Sequence, residues 1–134
     1  MTMWTAILVI AVLQAPPRAT CTSVGLDPAR TWQFRRTGEA WEVAHWTGTN
    51  AMRATRVALP PSAIVQVNGK AVRVRARTSN GGIDVTLTGS PANARLDVYV
   101  SYELEVNVDA SLTPAIDELN TDGPIGVRCE VTGA

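Results

Sequence analysis

The residues of this chain that could do chemistry are few and scattered. His45, the only histidine, lies in the alternating stretch WEVAHW between Trp41 and Trp46. A catalytic imidazole must be oriented by a partner, and no serine or cysteine motif accompanies this one, so we expect His45 to pack among the tryptophans. One histidine and two distant cysteines are too few ligands for a zinc site.

The acidic residues offer no better catalytic pattern. Asp117, Glu118, Asn120 and Asp122 precede Gly123, but their spacing does not match a calcium-binding loop, and acids at a helix start followed by a polar turn explain them. The chain has no GxSxG, phosphate-loop, HExxH or dinucleotide motif, and no carboxylate pair has the context of a glycosidase dyad. We therefore predict a protein that is not an enzyme and has no cofactor. A hydrolase that uses Asp or Glu on a sheet face remains an alternative, although no spacing supports it.

The two cysteines, Cys21 and Cys129, are too far apart for a CxxC redox or metal motif. A disulfide between them would close a loop of roughly one hundred residues and stabilise the fold by about 4–5 kcal/mol in the chain-entropy model. Two unrelated buried thiols are expected instead if the protein stays in a reducing cytosol. Both interpretations remain open from the sequence.

Three arginines, Arg73, Arg75 and Arg77, fall on one face of a predicted strand. One interpretation is an interaction patch that binds phosphate or carboxylate groups or the acidic surface of a partner. The other is pairing with acids on neighbouring strands of the same protein. The acids expected for that pairing are Asp84, Asp97, Glu103 and Glu105. Because 12 Lys and Arg balance 12 Asp and Glu, the formal net charge is zero, which favours internal pairing and argues against nucleic acid as a partner.

Four tryptophans accompany a single phenylalanine. Exposed together, Trp4, Trp32, Trp41 and Trp46 would stack on sugar rings or anchor a partner. Tryptophan in a small sandwich is more often part of the core, so carbohydrate binding is the minor alternative.

The elements that must position these residues are strands. From residue 31 onward the hydrophobic period is two, and TWQFRRTGEAWEVAHW predicts a hairpin that turns at residues 37–39. Further strands are predicted in RATRVAL, AIVQV, AVRVRAR, IDVTLT and GVRCEV. Asn68-Gly69, between two of them, predicts a type I′ turn.

The clearest pattern is ARLDVYVSYELEVNVD, in which seven apolar residues alternate with seven polar or exposed ones. TPAIDELN follows and predicts one short helix near residues 114–120, capped by Thr113. Seven to eight short strands joined by tight turns indicate an all-β fold, an antiparallel β-sandwich or jelly roll, with an open barrel as the near alternative.

Residues 1–20 are predicted to form an apolar N-terminal segment, and residues 21–134 a single domain. The run TAILVIAVL is shorter than the roughly 20 residues of a membrane-spanning helix, so we predict no membrane span. It lacks a basic residue before Arg18, and Leu13 spoils a cleavage site at Ala15, so a retained arm is favoured over a cleaved export signal. Its β-branched residues, Ile7, Val9, Ile10 and Val12, would then be covered by a neighbouring subunit.

Together these features predict a non-catalytic structural protein that packs against copies of itself or other assembly proteins. Its most concrete form is a small virion component, such as a bacteriophage capsid decoration, neck or tail protein, which is an argument from fold class alone. The alternative is an exported bacterial domain, periplasmic or secreted, with a Cys21–Cys129 disulfide, that binds a surface partner or carbohydrate.

Overall fold

The computed structural model describes residues 16–78, 82–101 and 118–133. This part of the chain is almost entirely β, with one 3-10 turn at Ala51–Arg53. Its strands are β1 (Arg18–Ser23), β2 (Arg30–Thr37), β3 (Ala40–Thr47), β4 (Thr55–Ala58), β5 (Ile64–Val67), β6 (Val72–Arg77), β7 (Ile83–Ser90), β8 (Asn93–Val100) and β9 (Ile125–Thr132). The predicted all-β class is confirmed.

All nine strands belong to one antiparallel sheet with the order β4-β3-β2-β1-β9-β8-β7-β6-β5. Two four-stranded meanders, β1–β4 and β5–β8, are therefore joined at the middle of the sheet by β9. The two separate sheets of a sandwich are not seen among these residues.

The sheet curls on itself. Its edge strands β4 and β5 are linked by residues 59–63 alone, and that link spans at most about 20 Å. Eight strand spacings in a flat sheet would hold the same edges about 38 Å apart. Curling brings the inward faces of both meanders into one core. The core's largest fully buried side chains are Trp32, Phe34, Leu87, Leu96 and Leu119.

The predicted hairpins are present, but one has a different turn. Val67 pairs with Val72, so the loop between β5 and β6 has four residues, 68–71, instead of the two of a type I′ turn. The Asn68 side-chain oxygen accepts hydrogen bonds from the backbone N–H groups of Lys70 and Ala71, each at 2.9 Å. This Asx-type arrangement closes the loop without a positive φ at Gly69.

The strand predicted in ARLDVYVSYELEVNVD is seen up to Val100, and its alternation holds there, since Leu96, Val98 and Val100 are buried. Its continuation from residue 102 lies outside the described residues. So does most of the predicted helix near residues 114–120; its described end, at Glu118 and Leu119, is a turn.

Residues 118–121 run beside the end of β8 and close the core. Leu119 is fully buried, Thr121 exchanges backbone and side-chain hydrogen bonds with Val98, and the Asn120 side chain accepts a bond from the Val100 N–H at 2.7 Å. Arg30 donates to the carbonyls of Glu118 and Asn120 from the opposite meander. Within the described ranges no helix is long and apolar enough to cross a membrane.

Candidate docking face on strands β6 to β8

The three arginines singled out by the sequence form a column on the outer face of β6. Arg73, Arg75 and Arg77 are exposed, while the residues between them point into the core. Alternate residues of a strand repeat every 6.6–6.8 Å or so, which sets the spacing of the column.

The strand register extends this column into a surface. On β7, Thr88, Thr86 and Asp84 lie opposite the three arginines in turn, and on β8 the next positions are Arg95, Asp97 and Tyr99. We define the arginine face by these nine residues: Arg73, Arg75, Arg77, Asp84, Thr86, Thr88, Arg95, Asp97 and Tyr99. Four arginines and two aspartates make it net positive, and Tyr99 is 54% exposed.

The internal pairing considered for these arginines does not form where the structure describes both partners. Across residues 16–78, 82–101 and 118–133 the ion pairs are those of Glu42 with Arg35 and with Arg56, the latter at 3.3 Å, and all three lie on the other meander. Asp84 faces Arg77 in register without an ion pair. Glu103 and Glu105 lie outside the described residues. Among the described residues, therefore, no ion pair neutralises the column.

His45 is buried in the structure. Only 2% of it is exposed, its Nδ1 donates to the Thr31 carbonyl at 2.9 Å, and its ring lies 4.8 Å from that of Trp32. Burial, together with the nearby Arg30 guanidinium, lowers the pKa of His45 to about 4, so the ring is neutral at physiological pH. His45 thus packs against a tryptophan, but the ring contact is with Trp32 of β2 and not with its sequence neighbours Trp41 and Trp46.

The tryptophans do not form a sugar-stacking platform in the described part of the chain. Trp32 is fully buried, whereas Trp41 and Trp46 are half-buried and, five residues apart on β3, point to opposite faces. Trp41 lines a cleft of about 440 Å³ with Leu59 and Pro60. Trp4 lies outside the described residues, as do Ile7, Val9, Ile10 and Val12.

The sequence pattern does not predict a second basic cluster that the structure contains. Arg18 lies directly opposite Arg35 across β1 and β2, and both line a groove of about 480 Å³ with Arg36. No local spacing signals this cluster, because Arg18 and Arg35 are brought together only by strand pairing. Glu42 neutralises part of it through Arg35.

The cysteines are joined by a disulfide between β1 and β9, where Cys21 and Cys129 are direct cross-strand partners 108 residues apart in sequence. Of the two interpretations left open, the disulfide is the one observed. It ties β9, the strand shared by the two meanders, to the first of them. An all-β domain with this bond is compatible with an extracellular or virion protein.

Among the residues described, no three His, Cys, Asp or Glu side chains lie close enough together to hold a metal ion. Comparison with models of known protein families, with curated protein sequences and with solved structures found no match.

Proposed function

We propose that this chain is a non-catalytic assembly protein that works by packing its arginine face against another protein. The observation that carries the proposal is the column of Arg73, Arg75 and Arg77, which is aligned, exposed and without an acidic partner in the described structure. Arginine is enriched in protein interfaces, and the strand holds the Cα atoms of these three arginines at regular spacing on one face.

The small virion component predicted from the sequence is one setting for such a protein. Its partners would be other particle proteins or further copies of this chain, held by packing between sheet faces. The curled sheet, with its short edge strands β4 and β5, supports a compact building block of this kind.

The disulfide specifically favours the second candidate, an exported bacterial domain that binds a surface partner. Bonds of this type persist in oxidising compartments and are rare in the reducing cytosol. The disulfide therefore supports the exported domain as a second setting for the same docking activity.

The docking proposal is tested by co-sedimentation with particle and cell-envelope fractions of the native source. We expect the purified protein to sediment with one of them, and Arg73→Ala/Arg75→Ala/Arg77→Ala to stay in the supernatant. Arg53→Ala is the matched control, because Arg53 is exposed on the 3-10 turn away from the face. Failure of the unmodified protein to sediment with either fraction overturns the proposal.

Intact mass of the native protein separates the two settings. The exported domain predicts a chain without its first 15–20 residues that gains about 2 Da on reduction, one hydrogen for each thiol. The virion component predicts a chain that keeps the apolar segment. A shortened chain should sediment with the cell-envelope fraction, and a chain that keeps the segment should sediment with the particle fraction.

A further inference from the structure

We propose that the arginine face binds an extended acidic segment of a different protein, in which carboxylates on alternate residues lie over Arg73, Arg75 and Arg77. This inference rests on the proposed function, since it names the chemistry of the partner that the face would hold.

The spacing of the arginines selects an extended partner. In any β-strand, residues i and i+2 point to the same side about 6.6–6.8 Å apart, so a second extended chain laid along β6 repeats at the same distance. A segment with acids at every other position would place one carboxylate over each of the three guanidinium groups. Each pair is then charge-assisted and, because arginine presents a planar fork, directional.

The face is also polarised along β6. At one end Arg73 shares its row with Arg95, and no acid lies in that row. At the other end Arg77 shares its row with Asp84 and the exposed Tyr99. The row of Arg75 also contains an acid, Asp97, so an acidic residue of the partner is favoured most strongly over Arg73. The other end of the partner meets Tyr99.

The described strands of a second copy do not supply such a segment. Their acids are Glu42, Asp84, Asp97 and Glu130, and each lies on a different strand, so none has an acidic neighbour two residues away. Glu42 is already held by Arg35 and Arg56. Within the described residues, a second copy therefore does not supply the complementary ladder; Glu103 and Glu105, two residues apart in sequence, lie outside them.

The test measures binding of short synthetic peptides to the full chain by fluorescence anisotropy. One peptide alternates three glutamates with threonines; the control has the same composition with the glutamates in one block. We expect the alternating peptide to bind about tenfold more tightly than the block peptide. Arg75→Glu should weaken the alternating peptide by about tenfold or more, whereas Arg53→Glu should leave its affinity within about twofold.

The outcomes separate this inference from the proposed function. Equal affinity for the two peptides, or an equal loss of affinity in Arg75→Glu and Arg53→Glu, would show that charge attraction alone is responsible. Either result overturns the proposal of an extended acidic segment. Tighter binding of a single-stranded oligothymidylate of matched charge overturns it in favour of nucleic acid. If the peptides fail but Arg73→Ala/Arg75→Ala/Arg77→Ala still abolishes co-sedimentation, the docking function stands and only the partner chemistry is wrong. Melting temperatures near that of the unmodified protein confirm that each variant is folded.

Discussion

The indole Nε1 of Trp32 donates a hydrogen bond to the backbone carbonyl of Leu119 at 3.0 Å, and both residues are fully buried. The bond joins the first meander to the segment that closes the end of the core. Arg30 reinforces it, since its guanidinium lies 4.7 Å from the Trp32 ring and donates to the carbonyls on either side of Leu119. The two halves of the curled sheet are thus held together by polar contacts as well as by apolar packing.

Trp32→Phe tests this closure. The substitution keeps an aromatic ring but leaves the Leu119 carbonyl buried without its donor, and we expect the free energy of unfolding to fall by about 1–3 kcal/mol, with a further loss from the smaller ring. Urea unfolding measures it. Trp46→Phe is the control, because Trp46 is only half-buried and should cost less. A loss no greater at position 32 than at position 46 would contradict the role assigned to the bond.

The disulfide is predicted to contribute more to the free energy of unfolding than any single hydrogen bond does. Cys21→Ala/Cys129→Ala should lower the free energy of unfolding by about 2–5 kcal/mol, because the bond closes a loop between residues 108 apart in the unfolded chain. Thermal unfolding with and without a reducing agent measures the effect. The reductant should destabilise the unmodified protein and leave the double variant unchanged; an unmodified protein indifferent to reduction would refute the prediction.

The strands were predictable because their signal is local. Alternation of apolar and polar residues is visible in eight segments of the sequence, which correspond to β2 to β9, although three successive residues of β3, Val43, Ala44 and His45, are buried. β1 carries no such signal, since its inward positions are Ala19, Cys21 and Ser23, which are small or polar. It is a strand because it pairs on both sides, with β2 and β9.

The candidate site was predictable only in part. The column of Arg73, Arg75 and Arg77 follows from the period of one strand, whereas its neighbours Arg95 and Tyr99 depend on the register of two further strands. Contacts between distant segments had no local signal at all: Trp32 and Leu119 are 87 residues apart. The prediction of a type I′ turn at Asn68-Gly69 was wrong. The Asn68 side-chain oxygen accepts the backbone N–H groups of Lys70 and Ala71, and this bonding favours a different turn.

Gly89 near the end of β7 is predicted to be intolerant of any side chain. Its φ is +131°, and a Cβ there would lie 2.5 Å from the Asn93 carbonyl oxygen and 2.9 Å from the Ala94 Cα, both backbone atoms that cannot turn aside. Gly89→Ala should therefore destabilise the fold by about 1–3 kcal/mol more than Gly38→Ala. Gly38 is the control because its φ is also positive, +67°, but a Cβ there meets nothing within 4 Å. Equal losses in urea unfolding would show that the close approach at the β7–β8 turn is not a constraint.

Protonation of His45 is predicted to make the fold sensitive to acid. Burial and the Arg30 guanidinium lower its pKa from 6.5 to about 4 in the folded protein, so between these values the unfolded chain binds a proton that the folded chain excludes. Stability from this residue is complete above about pH 6.5 and falls as the pH is lowered towards 4, by up to about 3 kcal/mol in total.

His45→Asn isolates this contribution from that of the carboxylates. Asparagine does not titrate, and its amide can still donate to the Thr31 carbonyl that His45 Nδ1 meets. The free energy of unfolding, measured by urea at several pH values, should fall more steeply between pH 6.5 and 4 in the unmodified protein than in the variant. Parallel curves would mean that the ring is protonated in the folded protein without penalty, which would contradict a neutral His45 sealed beneath Trp32 and Arg30.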